Sequence, residues 1–189
     1  MKPNSLRLSY SLLSSWLRKD YDGIVESFLH LRTRKTSGME RGVKFDKYVE
    51  GYVKEHGTLP PELGGKKLQK PHPKRILQIG YNDMFVLKGE IDILDASEII
   101  EIKCSQSKDS GQYANDWQVD FYLFIADLYP SMDDVNKIKK GVIYRYDPIK
   151  KTYDRSIVYK SKRRMDRIKR LIDREGPKLY QFLSDQGVL

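Results

Sequence analysis

The chain of 189 residues carries one cysteine, Cys104. That excludes a disulfide framework, an iron–sulfur cluster and any structural zinc site built on several thiolates. The histidines, His30, His56 and His72, are scattered without ligand spacing, which speaks against a histidine-based zinc site. No apolar run approaches the length of a membrane span. The opening MKPNSLRLSYSLLSSWLRKD has neither a continuous apolar signal core nor a small-residue cleavage site. The expectation is therefore an intracellular, soluble, cytoplasmic protein without a membrane partner. A glycine-rich phosphate loop is also missing: ELGGKK has neither the Walker spacing nor a strand-to-helix setting, which argues against an NTP-driven motor.

Charge is present in excess, with a formal net of +9. Residues 160–178, KSKRRMDRIKRLIDREGPK, hold nine Lys/Arg against three acids, and a second basic stretch runs from Arg32 to Lys47. One such cluster is as readily a solvated helix face as a binding surface. Two clusters flanking a carboxylate centre suit a polyanion, because each neutralised phosphate releases counterions. Arg32, Arg34 and Arg41 in the first cluster, and Arg163, Arg167 and Arg170 in the second, are the candidate DNA contacts.

Apolar spacing predicts short helices over 8–19 and 22–31, then a longer one from Ser37 to about His56, stopped by Gly57. The segment 58–74 is rich in Pro, Gly and Lys and is predicted as an exposed loop. Strands are predicted over 75–80, 84–95 and 98–104. A helix within 111–129 ends before Pro130, and two more strands flank Asp147-Pro148. A final helix spans 161–184, with a kink or break at Gly176-Pro177. Its Met165, Ile168, Ile172, Leu179 and Leu183 recur at core-facing spacing, with arginines on another stripe. With 39% hydrophobic residues the chain is long enough to bury a core without staples. The expected fold class is α/β: one mixed central β-sheet flanked by α-helices, in a single domain over 1–189. Within it, 1–36 forms N-terminal helices, 37–160 the core and 161–189 a basic terminal helix.

The stretch LKGEIDILDASEIIEIKC, residues 87–104, carries the chemistry. Strand alternation puts Glu90, Asp92 and Leu94 on one face and Ile91 and Ile93 on the other. In the second strand Glu101 and Lys103 share a face, opposite Ile100, Ile102 and Cys104. With the apolar faces in the core, Asp92, Glu101 and Lys103 meet on the other side. Such groups must face solvent, pair with one another or bind a cation. Two carboxylates can hold Mg²⁺ or Mn²⁺ through oxygen, while a lysine beside them orients or deprotonates a water. The alternative is a surface ladder of cross-strand ion pairs. Glu101-Ile102-Lys103 is the chain's one acid-x-Lys triplet, and its weight comes from following a Gly-x-x-Asp strand inside an apolar run. Cys104 is most simply a small buried hydrophobe.

These residues resemble the core of the PD-(D/E)xK nucleases, and their neighbours resemble its RecB-like and Cas4-like exonuclease branch. That branch has a Gly-x-x-x-His helix; RGVKFDKYVEG supplies Gly42, with Asp46 in the histidine's place. It also has a Gln-x-x-x-Tyr helix; WQVDFYLF supplies Gln118 and Tyr122, one helical turn apart. SYSLLSSWL is similar to the Ser-x-Ser helix that opens such domains, so the resemblance spans residues 9–129. It implies a restriction-endonuclease-like fold and an Mg²⁺- or Mn²⁺-dependent deoxyribonuclease, an exonuclease acting on DNA ends or single strands in repair or recombination.

By this resemblance, Asp92, Glu101 and Lys103 are catalytic. Asp46, Asp92, Glu101 and the Ile102 carbonyl are metal ligands, and Gln118 and Tyr122 place the strand. The iron–sulfur cysteines of Cas4 are absent. Two other readings stay open: a non-catalytic DNA-binding module of the same fold, which the Asp46 departure allows, and a structure-specific endonuclease or resolvase. Without a helicase segment, processivity calls for a homo-oligomer or a helicase or recombination partner. The compact size suits a virus-encoded enzyme.

Overall fold

A computed structural model describes residues 5–28, 37–104, 117–130 and 133–189 of the chain. The first element is a strand, β1 (Leu6–Ser9), where sequence spacing predicts the start of a helix. Leu6 and Leu8 point into the core while Arg7 stays exposed, an alternation too short to register against the helical pattern that follows. Ser9 then caps helix α1 (Tyr10–Leu17), its Oγ accepting the Leu12 N–H at 3.2 Å. Helix α2 (Tyr21–Phe28) follows. Helix α3 (Ser37–His56) has its expected bounds, and Gly57 ends it with φ 66°, a left-handed conformation that favours glycine.

The stretch after α3 is not the plain exposed loop expected. Leu59, Leu63 and Leu68 are buried, the middle one by a 3₁₀ turn over Pro61–Leu63. Leucines at spacings of four and five anchor a chain whose Pro, Gly and Lys composition otherwise reads as loop. Strands β2 (His72–Gly80), β3 (Phe85–Asp95) and β4 (Glu98–Cys104) come next. Helix α4 (Gln118–Asp127), strands β5 (Lys140–Asp147) and β6 (Thr152–Tyr159) and helix α5 (Lys162–Asp185) complete the order.

Helix α5 runs unbroken through Gly176-Pro177, where a kink or break is expected from sequence. The clash that a proline imposes on its predecessor falls partly on Cβ, which Gly176 lacks. That bare glycine also faces the ring of Phe85: a Cβ there would lie 3.1 Å from it.

The six strands form one mixed sheet in the order β1-β3-β4-β5-β6, with β2 pairing β3. Strand β2 is antiparallel to β3 from Gly80↔Val86 to His72↔Leu94 and takes one of its edges. The other edge is shared: β1 runs parallel along Phe85 to Lys88, and β4 antiparallel along Ile93 to Asp95. Residues 89–92 lie between these partners, where β4 diverges from β3.

Both faces of the sheet are covered. On one side Leu6, Leu13, Leu87, Phe121, Ile125 and Ile168 pack between the sheet, α1, α4 and α5. On the other Val49, Val53, Leu59, Ile100, Val142 and Tyr144 form a smaller core under α3. The architecture is α/β with a mixed central sheet flanked by helices, the restriction-endonuclease-like class expected from sequence.

Candidate active site

The carboxylate hairpin does not keep the strict alternation its sequence suggests. Ile91 and Leu94 belong to the α4-side core, whereas Ile93 belongs to the core under α3. The side-chain phase therefore shifts at Asp92, correcting the pairing of Ile91 with Ile93 and of Asp92 with Leu94. The β2–β3 ladder breaks at the same point. It runs to Arg75↔Ile91 and resumes at Pro73↔Ile93, leaving Lys74 opposite Asp92, and Lys74 has φ 53°. A non-glycine residue there costs on the order of 1–3 kcal/mol and persists only where surrounding structure imposes it.

The irregularity lets Asp92 reach across the gap toward β4. Its Oδ2 accepts the Ile102 N–H at 2.9 Å, and the Asp92 N–H points to Glu101 Oε1 at 3.4 Å. Side-chain oxygens thus replace the main-chain ladder where β3 and β4 part. Strand β4 keeps the alternation read from sequence. Ile100 and Ile102 pack under α3, while Lys103 projects to α4.

Glu101 is only 1% exposed, so of the three options open to these groups, facing solvent does not apply to it. Burial, together with the nearby Asp92 carboxylate, pushes the Glu101 carboxyl well above the ordinary carboxylate range. Lys103 Nζ lies 3.6 Å from Glu101 Oε2 and donates to Gln118 Oε1 at 2.5 Å. Gln118 Nε2 in turn donates to Tyr122 Oη at 2.8 Å. Tyr122 is 5% exposed. Its ring covers the main chain at Gly89, where an added Cβ would fall 2.8 Å from Tyr122 Cδ1. Burial and then the Glu101 charge raise the Tyr122 phenol, so it stays protonated as a hydrogen-bonding group.

Asp46 enters from α3. With Val49, Glu50, Lys74, Asp92, Ile93 and Ile102 it lines a cleft under that helix. Burial first, then the charge of Asp92, raises its carboxyl to about 6. The fold thus brings Asp46 and Asp92 to the same cleft. Yet among the described residues no three Asp, Glu, His or Cys side chains close on one point. A lysine is bonded to Asp92 instead: Lys74 Nζ donates to Asp92 Oδ1 at 2.7 Å. Burial disfavours the Lys74 charge, but its hydrogen bond to Asp92 and the neighbouring carboxylates outweigh that and hold its pKa above the usual lysine value.

Lys74 was not legible as a site residue. It falls in the stretch predicted as loop, and its proximity to Asp92 depends on a strand register that no local pattern encodes.

The expected DNA contacts separate into three groups. Arg32 and Arg34 lie outside the described residues. Arg41 is exposed on α3, close enough to act electrostatically on Cys104. Cys104 itself is half-buried, and burial raises its thiol. Arg163, Arg167 and Arg170 are exposed on α5, where Arg170 Nε donates to the Asp166 main-chain oxygen. The same helix is fixed to α4 by Arg164, whose Nη1 meets both oxygens of the buried Asp120 at 3.0 Å.

Hard oxygen donors, a buried carboxylate crowded by a second one and an adjacent lysine fit a divalent cation in chemical type. No helix among the described residues is long and apolar enough to cross a membrane. Neither a protein family nor a curated sequence matches the chain. Solved structures do. The alkaline exonuclease LHK-Exo of Laribacter hongkongensis is similar over 96% of this chain and 93% of its own, with TM-score 0.57 and 12% identity. A candidate exonuclease of Eubacterium rectale aligns over 97% and 82%, with TM-score 0.60 and 15% identity. A phage-related exonuclease of Haemophilus somnus 129PT aligns over 89% and 83%, with TM-score 0.53 and 13% identity. At these identities the likeness establishes architecture: the chain has the restriction-endonuclease-like fold found in exonucleases.

Proposed function

We propose that the protein is a divalent-metal-dependent deoxyribonuclease of PD-(D/E)xK type that hydrolyses phosphodiesters from DNA ends or single strands. The observation that carries this reading is the meeting of Asp92, Glu101 and Lys103 where β3 and β4 diverge, with Asp46 approaching from α3. The exonuclease neighbours support it, and one of them, LHK-Exo, has been solved with dAMP.

Asp92 and Glu101 would hold Mg²⁺ or Mn²⁺, with the Ile102 carbonyl and Asp46 as further oxygen donors. A divalent ion held there would supply Lewis-acid stabilisation of charge on the phosphate and would lower the pKa of a bound water. Lys103 orients the attacking water, and its ammonium offsets charge building on the phosphoryl oxygens. Gln118 fixes the Lys103 amine, and Tyr122 fixes Gln118, so this pair acts on the lysine rather than directly on the strand. Arg41 on α3, and Arg163, Arg167 and Arg170 on α5, contribute sequence-independent phosphate contacts.

The test uses linear single-stranded, linear duplex and circular single-stranded DNA with Mg²⁺, Mn²⁺ or EDTA. Mononucleotide release from linear substrates alone is the expected result, whereas internal cuts in the circle would replace the end-directed reading with an endonuclease. DNA binding without products under every metal condition would indicate an accessory binding module and contradict turnover.

A further inference from the structure

Lys74 brings a positive charge to the carboxylate of Asp92. Three features distinguish it from an ordinary surface ion pair. Its Nζ donates to Asp92 Oδ1 at 2.7 Å, while Asp92 Oδ2 is engaged by the Ile102 N–H, so the two oxygens of this carboxylate are both occupied. Its backbone is left-handed, φ 53°, at the one point where the β2–β3 ladder is interrupted. It also lines the cleft that contains Asp46, and its charge is felt by both Asp46 and Asp92.

A lone surface pair would tolerate many backbone placements and contribute little. Here the chain maintains an unfavourable conformation at the position directly opposite Asp92. The negative groups of this region are Asp46, Glu50, Asp92, Glu101 and Glu90, of which Glu50 is paired with Lys54 on its own helix; the facing cations are Lys74 and Lys103. Lys103 is held between Glu101 and Gln118, which leaves Lys74 as the cation bonded to Asp92.

We propose that Lys74 is a built-in counter-cation for Asp92, competing with the divalent ion for that carboxylate and yielding Oδ1 when the ion binds. This rests on the metal-dependent reading above. Lys74 is thereby a positioning residue: it keeps Asp92 aimed at β4 before the ion arrives and sets the concentration of ion needed to load the site. A lysine suits this exchange, since its flexible stem can withdraw the ammonium without moving the strand.

The test is Mn²⁺ binding followed by electron paramagnetic resonance, without DNA, in the wild type, Lys74→Met, Lys74→Arg and Asp92→Asn. Lys74→Met is expected to bind Mn²⁺ about fivefold more tightly or better, a change of ~1 kcal/mol. Lys74→Arg, which keeps the charge, should stay close to wild type, and Asp92→Asn should lose the site.

Thermal unfolding gives an independent readout. Lys74→Met should melt below the wild type in EDTA and regain the difference in saturating Mn²⁺, because an ion bound to the native state stabilises it by an amount that grows with the logarithm of its affinity. Asp92-dependent Mn²⁺ binding of equal strength in wild type and Lys74→Met would overturn the counter-cation role alone, leaving a plain structural ion pair. Absence of any Asp92-dependent Mn²⁺ binding would overturn the metal reading and this proposal together.

Discussion

The Lys103 ammonium donates to Gln118 Oε1 at 2.5 Å, joining the end of β4 to the first turn of α4. Gln118 is in turn tied to Tyr122, so one turn of a buried helix sets the direction of the lysine. Removing the tether with Gln118→Ala is expected to lower kcat about 10- to 100-fold, the usual cost of losing a group that orients a reacting residue. KM for DNA should change far less. A mainly KM effect would instead assign Gln118 to strand binding, and steady-state kinetics on a linear oligonucleotide separates the two.

Glu101 is held in the core against its own charge. Its folded carboxyl is raised well above the unfolded value, so at neutral pH the ionised group detracts from stability. Glu101→Gln is therefore expected to raise the unfolding midpoint at pH 7 in EDTA while reducing cleavage by at least about a hundredfold. Scanning calorimetry and a cleavage assay on the same preparation check both halves.

Asp46 gives a pH signature of the same sign. Its carboxyl rises from 3.8 to about 6 on folding, so the native state holds the proton more tightly than the unfolded chain. Stability is accordingly lost as pH climbs through that window. Comparing Asp46→Asn with wild type in EDTA from pH 4 to pH 8, the variant's advantage in melting temperature should appear near pH 4 and level off above pH 6. A difference independent of pH would show that Asp46 carries no such shift.

Gly89 tests the packing beneath the site. A Cβ would fall 2.8 and 2.9 Å from Tyr122 ring atoms, so Gly89→Ala must displace a ring that is buried. A loss of about 1–3 kcal/mol in urea denaturation is expected from such overpacking. Because Tyr122 supports Gln118, kcat should fall as well.

Much of this site is legible in the sequence because its signals are local. Glu101 and Lys103 are two residues apart on one strand, Gln118 and Tyr122 one turn apart on one helix, and α3 ends at Gly57 as its residues indicate. What escapes is what the tertiary register decides. The phase shift at Asp92, its bond to the Ile102 N–H and the approach of Lys74 depend on how β2, β3 and β4 align, and no short pattern records that. The continuous α5 helix escapes for a related reason. Gly176-Pro177 reads as a break until Phe85 of β3 is seen packed against the glycine. The leucines of 58–68 are hidden by the polar residues around them, although their burial closes the core under α3.

The central claim is that Asp92, Glu101 and Lys103 form a hydrolytic centre. Its most direct test is release of labelled nucleotide from linear DNA in Mn²⁺ or Mg²⁺ by wild type and by the Glu101→Ala, Lys103→Ala double variant. The account predicts metal-dependent products from the wild type and none above the EDTA background from the double variant, with the fold retained by circular dichroism. Equal cleavage by the two folded proteins would contradict it.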